Sequence, residues 1–415
     1  MPIEFSGITF TEQDDFVGES GDEEILNSGS ANTLAGNDLI VGNSENSINS
    51  SQTRISGIYN IGTLDTDDGD DLIIGAGIND VNFASLYDII SGIHNIGTLN
   101  TGNGNDVILG TRYKKEEEDA PSPSTLDYGI YHQRGIIDTG EGDDIITGSS
   151  QLSLGYGISI DSGSPYSDDD KGAIINTGNG NDAITGTGNW AGIAIGGSRI
   201  SNGSSIDTGD GNDAITGIGI SFGIEFRSDN DSIDTGKGDD LITGTGSWAI
   251  SIQSSSSYLN TDDGNDTITG FGYTYGIYNK GTINTGDGND IIMGTSNSSS
   301  YGGYIINHGT INTGNGEDSM ISDNGFEYSS GNVFLGNGQD YLRGFGFGSG
   351  NFNGGNDEDS LELTSGSYTV GISGTMVSFT KSGQIMKTSE FEKLIAGSTT
   401  YDFTSLTNGQ TIFVA

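Results

Sequence analysis

The chain has 415 residues, of which 71 are glycine, 58 acidic, 14 basic and none cysteine, for a net charge of -44. Only 32% are hydrophobic, too few for a helical bundle or an ordinary globular core. So acidic a surface repels nucleic acid and anionic lipid and attracts cations, and no disulfide contributes to the fold.

In chain order, the first 29 residues read as an N-terminal cap. They hold neither a basic n-region nor an apolar core of a Sec signal, and no run of the whole chain is apolar enough to span a membrane. From about residue 30 to 365 one phrase recurs, as in TLNTGNGNDVILG (98–110) and IINTGNGNDAITG (174–186). Its anchor aspartates are Asp71, Asp106, Asp144, Asp182, Asp213, Asp240, Asp266, Asp290, Asp318 and Asp340, with degenerate copies at Asp38 and Asp359. Their spacing shrinks from 38 to 19 residues.

Three apolar ladders accompany each anchor. One lies two residues after it, from Ile40 and Ile73 to Leu342 and Leu361. A second precedes the glycines, from Leu64 and Leu99 to Ile311 and Phe334. The third runs from Ile58 and Ile93 to Ile305. Short segments of β-branched or alternating character, bounded by Gly, Asn, Asp and Ser, are strands, and strands this short are stable only when stacked. The expected fold is all-β: a tapering three-sided parallel β-helix (β-solenoid), with like residues about 4.8 Å apart along each column. Two long insertions, 112–125 and 161–171, are expected to protrude as solvated loops. The tail, 366–415, is richer in Lys, Phe and Thr and reads as a small C-terminal β cap over the last coil.

The turn between the second and third segments, T-G-x-G-N/D-D-x-I, carries the chemistry. Its glycine pairs are Gly102 and Gly104, Gly140 and Gly142, Gly178 and Gly180, Gly209 and Gly211, Gly236 and Gly238, Gly286 and Gly288, Gly314 and Gly316, and Gly336 and Gly338. Glycines here permit positive φ, so that carbonyls can point outward around the bend beside the anchor carboxylate. Oxygen donors on a flexible turn suit calcium better than magnesium. Stacked carboxylates about 4.8 Å apart also repel by about 0.9 kcal/mol per pair in water, which a shared cation reverses. Against this stands a plainer reading, in which each Asp only caps its turn through side-chain hydrogen bonds. The turns before Asp71 (Asp67-Asp68-Gly69) and Asp266 (Asp262-Asp263-Gly264) lack a glycine and are expected to bind less tightly.

The phrase resembles the G-G-x-G-x-D-x-U-x nonapeptide of the RTX (repeats-in-toxin, hemolysin-type) family, over roughly residues 30–365. Gly102-Asn103-Gly104-Asn105-Asp106 and Gly178-Asn179-Gly180-Asn181-Asp182 are its closest copies. With one such turn per coil, the arrangement resembles the one-calcium-per-coil β-helix of RTX-type ice-binding adhesin domains. The resemblance implies calcium held between stacked turns, with the anchor aspartates as ligands. It also implies type I secretion through an uncleaved signal, here within 366–415, and folding on calcium outside the cell.

Enzymatic chemistry on acidic sugars wants basic residues beside a general base. His94, His132 and His308 read as surface side chains, and the basic residues are dispersed, so no enzyme is expected. Ice binding is kept as an alternative reading; it would need an outward threonine row, whereas Thr66, Thr101, Thr139, Thr177, Thr208, Thr235, Thr261, Thr285 and Thr313 share the inward parity of the isoleucines. Outward Tyr59, Tyr131 and Tyr278 leave polysaccharide binding open, and stacked coils leave self-association open. The reading that remains is a secreted, extracellular, calcium-binding rod with a structural, surface or adhesive role.

Overall fold

Alternating short strands and glycine turns build coils that hydrogen-bond only to the coils above and below. The computed structural model describes residues 3–5, 8, 10–18, 23–46, 54–79, 89–114, 126–152, 154–161, 172–197, 203–295, 304–322, 324–326 and 329–415. It divides into two units, Met1–Thr235 and Gly236–Ala415.

In the first unit a coil comprises three strands, for example Thr98–Asn100, Val107–Lys114 and Leu126–His132. All pair in parallel with their counterparts one coil away: Leu99 opposes Leu64 and Ile137, Ile108 opposes Ile73 and Ile146, and Ile130 opposes Ile93 and Ile158. Residues Ile25–Asn27 join this register, with Ile25 opposite Ile58. The three ladders fill the core and are fully enclosed, each isoleucine or leucine contributing about 1.5–3 kcal/mol by burial. The second and third strands meet at a corner lined by glycine because their backbones touch there: a Cβ on Gly75 would lie 2.4 Å from the Gly92 carbonyl oxygen.

In the second unit that corner is passed without a break, in the single strands Leu241–Ile252 and Thr267–Asn279. The second ladder needs one correction. Val333, not Phe334, opposes Ile311, so Val333 is buried while Phe334 is 40% exposed. The parallel stack continues into the tail, where Leu394 opposes Leu361 and Thr388 opposes Phe352. The sheet then turns antiparallel: Gly366–Ser373 pairs with Met376–Lys381 and with Thr411–Val414. The final IFVA is therefore a strand of this layer, with Ile412 and Val414 buried and Phe413 exposed.

Residues 115–125 and 162–171 of the expected loops lie outside the described residues. The start of the first differs from expectation. Arg112 to Lys114 continue the strand, and Arg112 points inside, 2% exposed, with its Nε 3.0 Å from Asp127 Oδ1. Tertiary pairing across the base of the insertion thus overrides the local charge pattern, because a buried guanidinium is tolerated only beside a counter-charge.

Candidate metal centre

Each anchor aspartate immediately precedes the second strand of its coil and turns its side chain inward. In the first unit these are Asp38, Asp71, Asp106, Asp144, Asp182 and Asp213; in the second, Asp240, Asp266, Asp290, Asp318, Asp340 and Asp359. None is more than 2% exposed.

One carboxylate oxygen per anchor serves the stack. Asp71 Oδ1 accepts the Asp38 backbone N–H at 2.7 Å, and Asp106, Asp144, Asp182 and Asp213 each accept from the preceding anchor at 2.7–2.8 Å. The second unit repeats this from Asp240 to Asp359 at 2.8–2.9 Å. The turn-capping hydrogen bonds of the plainer reading therefore exist; at Asp38 they take both oxygens, since the Thr33 hydroxyl donates to its Oδ2, but from Asp71 to Asp182 and from Asp266 to Asp359 they occupy only Oδ1.

The other oxygen is enclosed without a hydrogen bond. This holds for Oδ2 of Asp71, Asp106, Asp144 and Asp182 in the first unit, and of Asp266, Asp290, Asp318, Asp340 and Asp359 in the second. A buried carboxylate oxygen left bare is costly. Burial, reinforced at most levels by neighbouring carboxylates, pushes Asp71, Asp182, Asp266 and Asp318 up to about 6. Asp106, Asp144, Asp213, Asp290, Asp340 and Asp359 rise to about 7 for the same reason. The threonine five residues before an anchor opposes this shift; at Asp71, the Thr66 hydroxyl favours the charged form yet leaves Oδ2 outside hydrogen-bond geometry.

That threonine row points inward, as its parity implies, with no member more than 1% exposed. Thr261 Oγ1 donates to Thr285 O at 3.4 Å and Thr285 Oγ1 to Thr313 O at 3.3 Å. A row so enclosed offers no surface to ice.

The glycine carbonyls do not fan outward as expected. They run along the stack: a Cβ on Gly140 would meet Gly102 O at 1.8 Å, and one on Gly142 would meet Gly104 O at 1.7 Å. In this pose each carbonyl rests against the Cα of the next coil's glycine. All eight glycine pairs have positive φ, and their role in the stack is to let coils approach. Asp67 and Asp262 stand where other copies have the first glycine, at φ 62 and 58. Replacing Asp262 by Gly should relieve about 1 kcal/mol of strain and raise the melting temperature by a few degrees; a fall would show that its carboxylate does more for the turn than the strain costs.

Exposed turn positions form mixed columns. Asn103 donates Nδ2 to Asp68 at 2.7 Å, Asn179 to Glu141 at 2.9 Å, and Asn265 to Asp239 at 2.8 Å. Alternating amide with carboxylate replaces repulsion by a charge-assisted hydrogen bond.

Two anchor equivalents escaped the sequence reading. The Asp15 N–H donates to Asp38 Oδ1 at 2.7 Å, and Glu392 Oε2 accepts the Asp359 N–H at 2.9 Å, which adds one level to the column of each unit. The signal was present as acid-x-apolar in Asp15-Phe16-Val17 and Glu392-Lys393-Leu394.

The histidines differ from expectation. His94 is 2% exposed, packed between Tyr59 and Tyr131 at ring separations of 5.0 and 4.8 Å, and burial lowers it to about 3. His132 is fully enclosed and lowered to about 4 by burial; it takes a place in the internal column Asn27, Asn60, Asn95, with Nδ1 3.2 Å from Asn95 Nδ2. Only His308 lies at the surface. Tyr131 is buried, whereas Tyr59 and Tyr278 are half-buried.

Tested on its own atoms, the interior of the turns from Asp71 to Asp318 offers only oxygen: a carboxylate oxygen, a threonine hydroxyl and, from the adjoining coil, a backbone carbonyl; at Asp340 and Asp359 Leu335 and Gly354 replace the threonine. That is the donor class of a hard cation. The acids stand one per coil rather than converging, and among the described residues no three acidic or histidine side chains form a metal-ion cluster.

No protein-family model and no curated protein matches the chain. One solved structure that it matches is the X-ray crystal structure of a hyperactive, Ca2+-dependent, beta-helical antifreeze protein from an Antarctic bacterium. The two are 16% identical over 98% of this chain and 95% of that one, with a TM-score of 0.49.

Proposed function

We propose that this chain is a secreted calcium-binding β-helix of structural, surface or adhesive role, which folds when it meets calcium outside the cell. The observation that carries the reading is the column of enclosed, unpartnered Asp Oδ2 atoms in each unit. At neutral pH such a column needs either protons or cations. A cation that an Oδ2 shares with neighbouring oxygens, those of threonine at every level from Asp71 to Asp318, removes both the desolvation cost and the repulsion between levels. The metal's part is charge neutralisation, and it supplies no catalysis. The residues that would hold it are the anchors Asp71, Asp106, Asp144, Asp182, Asp266, Asp290, Asp318, Asp340 and Asp359; the glycines supply the close approach of the coils.

The low apolar content supports coupling of folding to the ion, since burial alone must here overcome a net charge of -44. The RTX-like phrase supports export by type I secretion machinery. No catalytic role is assigned: His94 and His132 are enclosed and neutral at pH 7. Calorimetric titration of metal-stripped protein at pH 7.5 tests the reading. Saturable uptake of several calcium ions per chain is expected, and no heat up to millimolar calcium would refute it.

A further inference from the structure

Four of the turns place an asparagine directly before a glycine: Asn103 and Asn179 in the first unit, Asn315 and Asn337 in the second. All four side chains are exposed. Such a pair is prone to lose ammonia, because glycine has no Cβ to keep its nitrogen from the asparagine Cγ. In that reaction the glycine nitrogen, its proton given up to solvent, attacks Cγ, and the new C–N bond closes a succinimide ring as ammonia leaves with the proton. Water then opens either ring carbonyl and leaves aspartate or isoaspartate. Here the neighbouring coils hold both nitrogens. Asn103 Nδ2, which would leave, donates to Asp68 Oδ1 of the preceding coil at 2.7 Å, while the Gly104 N–H, which would attack, donates to Glu141 O of the following coil at 2.9 Å. Asn179 repeats this: its Nδ2 donates back to Glu141 at 2.9 Å, and the Gly180 N–H donates forward to Asp210 O at 3.0 Å. In the second unit Asn315 donates back to Asp287 and Asn337 to Asn315, while the Gly316 and Gly338 N–H groups donate forward to Asn337 O at 2.7 Å and Asn356 O at 3.3 Å.

We propose that Asn103, Asn179, Asn315 and Asn337 are sites of spontaneous deamidation that the stacked coils hold unreactive, and that they react once the coils part. Exposure leaves water at hand, so burial is not what protects these side chains. Protection lies in the hydrogen bonds to the coils on either side, and unstacking removes them together. The product is also barred from return. At Asn103, Asn179 and Asn315 a new carboxylate would face Asp68, Glu141 or Asp287, where the amide had donated a charge-assisted hydrogen bond. Isoaspartate further adds one atom to the main chain of a turn with no room to spare: a Cβ on Gly104 would lie 1.8 Å from Gly69 O. A chain left unstacked is thus marked chemically and loses the ability to rebuild its coils. Asn105 and Asn181 are internal controls, equally exposed but each followed by an aspartate, whose side chain hinders ring closure.

Peptide mapping by mass spectrometry tests this on the full chain, kept for days at about pH 8 either folded with calcium or unfolded in guanidinium chloride. In denaturant the four asparagines should convert well ahead of Asn105 and Asn181. In the folded chain they should convert about a hundredfold more slowly or less, since reaction is confined to the fraction of time a coil stands open. Hydrogen exchange should show the Gly104, Gly180, Gly316 and Gly338 N–H groups protected to a similar degree. Equal conversion in the two states overturns the proposal, as do glycine N–H groups that exchange as freely as in an unfolded peptide. Dilution from denaturant tests the second half: recovery of the folded chain should fall as conversion rises at about pH 8, and stay complete after the same time at about pH 5, where the glycine nitrogen seldom gives up its proton. Full recovery of converted chains overturns that half. Denaturant rather than chelator parts the coils, and the folded arm can equally be run in plain buffer, so this test and the calcium titration fail independently.

Discussion

Stripping calcium at pH 8 should lower the melting temperature by more than about 20 °C, since each site filled at a hundredfold excess over its Kd contributes about 2.7 kcal/mol and several act together. The metal-free protein should then recover as pH falls. The sign follows from the direction of the shifts: burial raises the anchor carboxyls from 3.8 to about 6 or 7, so the folded chain holds protons that the unfolded chain has released. Stability from these groups is complete below about pH 4 and is lost as pH rises through 6 to 7. Without calcium, melting should therefore rise from pH 8 to pH 5, opposite to a protein stabilised by paired carboxylates. The variant Asp144→Asn sharpens the test. It should stabilise the stripped protein at pH 8 by deleting one charge from the column, and destabilise the calcium-loaded protein by deleting a ligand. Thermal unfolding followed by circular dichroism reads all of these, and identical curves with and without calcium would remove the metal from the account.

Gly142→Ala should be among the most damaging single substitutions, costing about 4 kcal/mol or more even in saturating calcium. Its Cβ would lie 1.7 Å from the Gly104 carbonyl oxygen and 2.6 Å from its carbon, at a φ of 143 that an L side chain rarely adopts. Neither neighbour is a flexible side-chain tip. Relief requires the coils to part at this level, which disrupts the Asp106–Asp144 hydrogen bond of 2.7 Å. A control at Gly383, where a Cβ meets nothing within 4 Å though φ is 81, should cost only the local strain of about 1–2 kcal/mol. If the two variants unfold at the same denaturant concentration, contact between coils is not what the turn glycines provide.

Much of the architecture is legible in the order of residues, because a stacked coil repeats the same environment and so repeats the same residue. Ile73, Ile108 and Ile146 recur at fixed offset from Asp71, Asp106 and Asp144 and lie over one another in the fold. The inward threonine row follows from its parity alone. Register failed where the phrase loosened: at Val333 and Phe334 two apolar neighbours compete for one inward slot, and only pairing with Ile311 decides between them. The outermost anchors, Asp15 and Glu392, were hidden because their turns lack the glycines that mark the others.

What the sequence by itself determined is the coil: which residues face inward, where the chain turns and which aspartates share a column. These depend on offsets within one repeat and on the alternation of side chains along a strand. The tertiary structure alone decided how the carboxylates of anchors such as Asp106 and Asp144 are divided, with Oδ1 held by the adjoining coil's N–H and Oδ2 left bare, and in which direction the glycine carbonyls run. It alone enclosed His94 between two tyrosines and drew Arg112 inward to Asp127. The physical reason is common to all four. Each is a contact with a different coil or across an insertion, and such contacts are set by the rise and register of the stack rather than by near neighbours in the chain.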